Sequence, residues 1–267
     1  MILTFQIQGK QAGKMEIKNQ TETSADLNIL GDIVSDEWGK WSDDDTCPSD
    51  ISAFLKNLDG ISEINLHINS GGGSVFGGIA IYNMLRRSSA RVTTYIDGIA
   101  ASIASVIACA GDRVIIPKNA TFMIHKPTNG YFFTSMNADQ LRKDADTLDQ
   151  CQKAILQTYM TKAKDGITEE KINDLVNAET WMVGSEAADY FDFEVEESVE
   201  AAACSSDFYD SYQKTPESFQ KNKTDFVRED LVDAVIKRLQ EKEDALRAQE
   251  TEKLKKELLG DLDLYGV

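Results

Sequence analysis

Apolar and polar residues alternate over the first 28 positions, with Leu3, Phe5, Ile7, Met15 and Ile17 all of one parity. A period of two is a strand signal, so this stretch predicts a strand or hairpin. A second short apolar run covers 27–34 and carries Gly31, and residues 35–50 collect Asp, Ser, Gly and Trp as an exposed loop would. A short helix is predicted over 51–58, capped near Ser49 and Asp50. Strand and helix signals then alternate. Residues 64–68 read as a strand, followed by a glycine-rich turn and a helix over 77–87. Residues 92–96 read as the next strand, with a turn at Gly98 and a helix of small residues over 101–110. Two further strands are predicted at 113–116 and 121–124, then a long helix over 137–163 and a shorter one over 169–176 that opens at Thr168. Such repetition predicts an α/β fold with right-handed crossovers.

Past residue 199 the pattern changes. The division it predicts is a core domain over 1–200, a polar linker over 201–224 containing Pro216, and a charged helical tail over 225–267. The tail has one apolar stripe formed by Leu231, Val232, Val235, Ile236 and Leu239. The formal net charge of -17 opposes binding to nucleic acid or to an anionic membrane, since phosphates would repel the chain. No apolar run approaches the roughly 18–20 residues of a membrane span. The first 14 residues lack a basic-then-apolar leader pattern, so the expectation is a soluble, cytoplasmic protein. Cys47, Cys109, Cys151 and Cys204 form no C-x-x-C pair, and the chain has only two histidines. No zinc ligand set is apparent, and neither a metal nor a cofactor is expected.

Three segments could carry chemistry. Asn69-Ser70-Gly71-Gly72-Gly73-Ser74 follows a strand and precedes a helix. Three glycines let backbone N–H groups line a concavity. The turn could hold a phosphate, a carbonyl oxyanion or an extended peptide, or be a plain tight turn. The P-loop lysine and the G-x-G-x-x-G spacing are missing. In Gly98-Ile99-Ala100-Ala101-Ser102, the serine stands at a helix start, where it reads first as a cap. The same place would suit a nucleophile beside the positive end of the helix dipole. In Met123-Ile124-His125-Lys126-Pro127 a histidine closes a strand. With His67 on a strand interior, where it reads as packing, His125 is the candidate general base.

Taken in order, these segments and the later Trp181-Met182 with Glu186-Ala187-x-x-Tyr190 resemble the proteolytic subunit of the Clp protease, ClpP, over about residues 27–197. The resemblance implies the ClpP/crotonase-like fold of repeated β-β-α units, with the charged C-terminal helix added. It implies a serine endopeptidase with Ser102 as nucleophile and His125 as base. The oxyanion hole would lie at the N–H groups of Gly72 and Ile103, and substrate would pair along Gly71, Gly73 and Ser74. The family's third member is an aspartate two residues before the aromatic of the Trp-Met pair, where this chain has Glu179; Asp174 is the nearest upstream alternative. Gly71 stands where the family has proline, and Ala104 where it has glycine. The tail and the N-terminal stretch are similar to those of the ClpP-related head maturation (prohead) proteases of tailed phages and prophages. That likeness implies capsid or scaffold subunits as substrates and association with procapsids. The family also implies a homo-oligomeric ring, a heptamer or tetradecamer, and an ATPase unfoldase as partner. Two rival readings are a crotonase-type acyl-CoA enzyme and a catalytically impaired capsid-assembly or scaffold partner.

Overall fold

The period-two pattern lays out the molecule, here seen in a computed structural model that describes residues 2–7, 10–16, 23–58, 60–131, 134–198, 206–216, 219 and 247. In β4 (Glu63–Ser70), Ile64, Leu66 and Ile68 point to one side and are fully buried, while Asn65 and His67 on the other side are half-buried. β3 (Ser24–Ile29) repeats this with Ala25, Leu27 and Ile29, and β5 (Arg91–Ala101) with Val92, Thr94 and Ile96. The three strands pair in parallel, Leu27 opposite Leu66 and Leu66 opposite Thr94, so the buried side chains form one continuous floor. β6 (Arg113–Pro117) and β9 (Glu194–Glu196) extend the same sheet in the order β3-β4-β5-β6-β9. β1 (Ile2–Ile7) and β2 (Lys10–Glu16) form a separate antiparallel pair.

Helices cover the floor. α1 (Pro48–Lys56) contributes Ile51 and Phe54, and α2 (Val75–Arg86) contributes Ile81 and Leu85. α3 (Ile103–Ala108) is buried along its whole length. α2 lies so close to α3 that a Cβ on Gly78 would strike the Ile103 side chain. α4 (Ala138–Met160) buries Cys151, Ile155, Leu156, Thr158 and Tyr159, and its earlier turns stand out from the core. α5 (Glu169–Asn177) and α6 (Gly184–Tyr190) flank β8 (Thr180–Val183). Each large apolar side chain buried in this way contributes about 1.5–3 kcal/mol. The result is the α/β class expected. Among the described residues no helix is long and apolar enough to cross a membrane.

Two elements depart from the sequence reading. Gly98 does not end β5. The strand runs on to Ala101 and changes partner, pairing Ile99–Ala101 with β7 (Thr121–Ile124), which in turn pairs antiparallel with β8. The Asn69 side chain supports the change by accepting a hydrogen bond from Ile99 N–H at 3.1 Å. α1 starts earlier than predicted, with Pro48 at its first turn and Asp50 reaching back to Cys47 N–H at 2.8 Å.

The chain divides into two compact units, residues 1–219 and 220–267. The predicted tail at 225–267 lies outside the described residues apart from Arg247. Of the predicted linker, residues 206–216 and 219 belong to the first unit, with a 3-10 turn at Asp207–Ser211. Its composition is polar, but Phe208, Tyr209, Tyr212 and Phe219 give it an apolar side that packs with Ile99, Ala101, Met123 and Trp181.

Candidate active site

β5 and β7 end side by side, and this brings Ser102 and His125 together. Ser102 sits between the last residue of β5 and the first of α3, with φ 54° and ψ -124°. A side-chain-bearing residue in that region costs about 1–3 kcal/mol and persists only where its surroundings hold it. Here they do. Ser102 N–H donates to Met123 C=O at 2.9 Å, and Ser102 C=O accepts from Ser105 N–H at 3.1 Å and from Ser105 Oγ at 2.5 Å. Ser105 Oγ also lies 2.7 Å from the hydroxyl of buried Tyr159. The turn aims Ser102 Oγ at His125 Nε2, 2.7 Å away. The G-x-S-x-G pattern is missing, yet the strained strand-to-helix elbow is present.

His125 is half-buried. Burial disfavours the imidazolium and lowers its pKa below 6.5, with the charge of nearby Glu179 acting against that effect. Its ring meets Tyr212 edge to face, with centroids 4.8 Å apart.

Glu179 is the other non-glycine residue with positive φ among those described, at 49°. It follows the C-cap of α5, a place that usually takes glycine, and its N–H closes on Val176 C=O at 3.2 Å. Glu179 was expected to hold the His125 imidazole through a hydrogen bond. In this structure its carboxylate bonds elsewhere. Oε2 accepts from Gln213 N–H at 2.8 Å. Oε1 accepts from Lys214 N–H at 2.6 Å and from Trp181 Nε1 at 3.3 Å. The backbone at 213–214 offers two convergent donors, which outcompete a single imidazole N–H. Asp174 stays on α5, where its carbonyl accepts from Ala178 N–H.

The glycine turn lies against Ser102. A Cβ on Gly72, whose φ is +110°, would stand 2.7 Å from Ser102 Cβ. Gly72 N–H donates to Ser70 Oγ at 3.2 Å, and Gly72 C=O accepts from Ile33 N–H at 2.7 Å. Ser74 N–H donates to Ile33 C=O at 2.7 Å, and Gly73 forms a parallel bridge with Ile33. Gly71 C=O accepts from the Tyr212 hydroxyl at 2.5 Å. The chain itself therefore meets these backbone groups, which were expected to face a substrate strand. Ile103 is the first residue of α3, so its N–H has no carbonyl partner within the helix.

Behind Ser102 is a small space of about 10 Å³ walled by Val75, Ile103, Val106, Pro127 and Ile155. A larger cavity of about 460 Å³ opens beside it, between the Ile33–Ser35 backbone, Phe76, Pro127 and Phe208. Residues 206–216, and Tyr212 above all, had not been anticipated at this site. Their signal in the sequence was the density of aromatic residues in a polar stretch.

Two other polar clusters lie elsewhere. His67 Nδ1 is 3.0 Å from Asp97 Oδ2, and that carboxylate raises its pKa above 6.5. Glu37, Cys47 and Asp50 converge, but Lys40 Nζ stands among them, 2.7 Å from Asp50 and 3.1 Å from Glu37. Burial pushes the Cys47 thiol up to about 11. The cluster is a loop anchor in which Lys40 offsets part of the carboxylate charge.

Comparison with known proteins agrees with this arrangement. Residues 44–191 match the family model described as Clp protease. An ATP-dependent Clp protease proteolytic subunit of Ligilactobacillus salivarius is 34% identical over 140 residues, covering 51% of this chain and 68% of that protein. One from Streptococcus agalactiae is 31% identical over 146 residues, covering 51% and 69%. Among solved structures, a mutant ClpP1 from Listeria monocytogenes superposes with a TM-score of 0.52 over 65% of this chain and 91% of that one. At 23% identity this likeness speaks for the fold. The chain belongs to the Clp protease family, a family of serine peptidases.

Proposed function

We propose that Ser102, His125 and Glu179 form the working triad of an endopeptidase that cleaves protein substrates inside an oligomeric chamber. The observation that carries this reading is the 2.7 Å contact between Ser102 Oγ and His125 Nε2, made by a serine held in a strained elbow. Ser102 Oγ attacks the peptide carbonyl while its proton passes to His125 Nε2. The C–N bond then breaks as that proton moves to the leaving amine, and water activated by His125 hydrolyses the acyl-enzyme. Ile103 N–H is placed to bind the oxyanion, joined by Gly72 N–H once it turns from Ser70. Glu179 stabilises the imidazolium through its charge and, when its carboxylate is free, through a hydrogen bond.

The exposed first turns of α4, with Leu141 half in solvent, suit a contact between rings of seven subunits, and an ATPase unfoldase is the partner to look for. Maturation of phage capsid or scaffold proteins is the role we favour, on the likeness of the tail and N-terminal stretch to head maturation proteases. The test is to label the full chain with a fluorophosphonate and map the adduct by mass spectrometry. The adduct is expected on Ser102 and is expected to vanish in Ser102→Ala. Cleavage of candidate substrates by Ser102→Ala would overturn the assignment.

A further inference from the structure

We propose that residues 206–216 form an autoinhibitory strap, which lies over Ser102 and His125 and withholds Glu179 from His125 until it is displaced. The inference rests on reading Ser102 as the nucleophile. Three sets of contacts carry it. The Tyr212 ring covers His125, and its hydroxyl donates to Gly71 C=O, beside the position where an oxyanion would bind. That hydroxyl lies 3.0 Å from where a Cβ on Gly72 would stand, so it fills the space between nucleophile and glycine turn. The successive N–H groups of Gln213 and Lys214 take both oxygens of Glu179, and the Lys214 ammonium caps Ala178 C=O. At its other end Ser206 Oγ donates to Asp32 Oδ1 at 2.6 Å and crowds Gly71 so closely that a Cβ there would collide with it.

The strap occupies the ground a substrate needs. It uses the Gly71 carbonyl, sets a phenol beside the oxyanion position, and its Phe208 lines the larger cavity. A segment serving only to cover apolar surface would need Tyr209 and Phe219 against Ile99 and Met123, but not a phenol beside the nucleophile or two amides on the triad acid. Its hold is also local. It is fastened by a handful of hydrogen bonds and two buried tyrosines, whereas the catalytic strands are paired within the sheet. Such a segment opens at far lower free energy than the core.

The test uses the full chain and the rate at which a fluorophosphonate labels Ser102, read by intact mass. Gln213→Pro removes one N–H from Glu179, and Tyr212 before it is extended (ψ 145°), as a residue preceding proline must be. Tyr212→Phe removes the bond to Gly71 and keeps the ring. The expected result is labelling about tenfold faster in Gln213→Pro, the scale of one lost charge-assisted hydrogen bond, a smaller rise in Tyr212→Phe, and more in the double variant. A synthetic peptide of residues 206–216 should slow the double variant again. Melting temperatures near the wild-type value show that the fold is kept. Folded variants that label no faster than wild type would overturn the proposal, as would wild-type chains found cut within 206–216, which would make the segment a substrate. Ser102→Ala in the double variant separates the two readings. Persistent labelling there refutes the nucleophile, while lost labelling without acceleration by the strap variants refutes the strap alone.

Discussion

The two histidines of this chain sit in opposite settings. His67 is half-buried on the outer face of the sheet, with Asp97 at 3.0 Å and Tyr95 stacked 5.0 Å away. By hydrogen bonding alone it has the better carboxylate partner. His125 is also half-buried, but it has its acid only through space and bonds instead to Ser102. A histidine–carboxylate pair is therefore a poor marker of catalysis in this fold. What distinguishes His125 is the serine, and what places the serine is an elbow that costs energy. Among the described residues the two non-glycine positions with positive φ, Ser102 and Glu179, both fall at this site, and neither falls near His67. Strain concentrated in this way points to function, because a purely structural position would have drifted to glycine.

The largest break in the comparison is expected from deleting each ring. His125→Ala should lower kcat/KM for a short peptide by about 10⁴-fold or more, the scale seen when a triad member is lost. His67→Ala should change it by less than about threefold, since His67 contacts none of the reacting groups. Steady-state assay of both purified variants checks this. Comparable losses in the two would mean that the outer face takes part in catalysis.

The parts of this contrast that the sequence made legible were local. The long helix could be placed because Leu141, Leu148, Cys151 and Ile155 recur near helical spacing, and Asn137, where it was expected to start, is its N-cap. Ser102 and His125 could be named because their motifs occur in order. The conformation of Ser102 was not legible, since positive φ is announced by glycine and here a serine takes it. Gly98 misled in the opposite sense. Its freedom suggested a turn, but the partners on both sides keep β5 extended through it. The bonding of Glu179 depends on Gln213 and Lys214, more than 30 residues away, and no spacing rule reaches that far. The stretch 201–224 reads as linker because 20 of its 24 residues are polar or small, and averaging hides the four aromatics Phe208, Tyr209, Tyr212 and Phe219 that give it an apolar side.

A titration sharpens the contrast without changing catalysis. With two histidines in the chain, their ring resonances can be assigned by one substitution. His67 should titrate above 6.5, because Asp97 favours its proton, and His125 below 6.5, because burial opposes it. The signs for stability then oppose each other. The His67 pair contributes fully below pH 6.5 and is lost as pH rises through its folded pKa. His125 must stay neutral to suit its burial, so its share of stability is lost as pH falls from 6.5 through its folded pKa. Activity should accordingly hold down to a pH below 6.5 and fail beneath the His125 value. NMR and a pH–rate profile test both, and a His125 that titrates above His67 would reverse the account.

The smallest effect is the one most easily misjudged from a contact distance. A 3.0 Å pair of histidine and aspartate invites a large stability estimate, but the His67 side chain is 29% exposed and that of Asp97 40%. Solvent screens such a pair, which places its worth at about 0.2–1 kcal/mol. His67→Gln should therefore lower the melting temperature by only about 1–4 °C at pH 6, within the range expected for a domain of this size. Above pH 9, where the imidazole is neutral in both folded and unfolded chains, most of the difference should disappear, leaving only the loss of stacking on Tyr95. A loss that is large and independent of pH would show that His67 works through packing. The outer face would then be held by the ring's contact with Tyr95, and the acid pairing that makes it resemble a catalytic dyad would be incidental to the fold as well as to the chemistry.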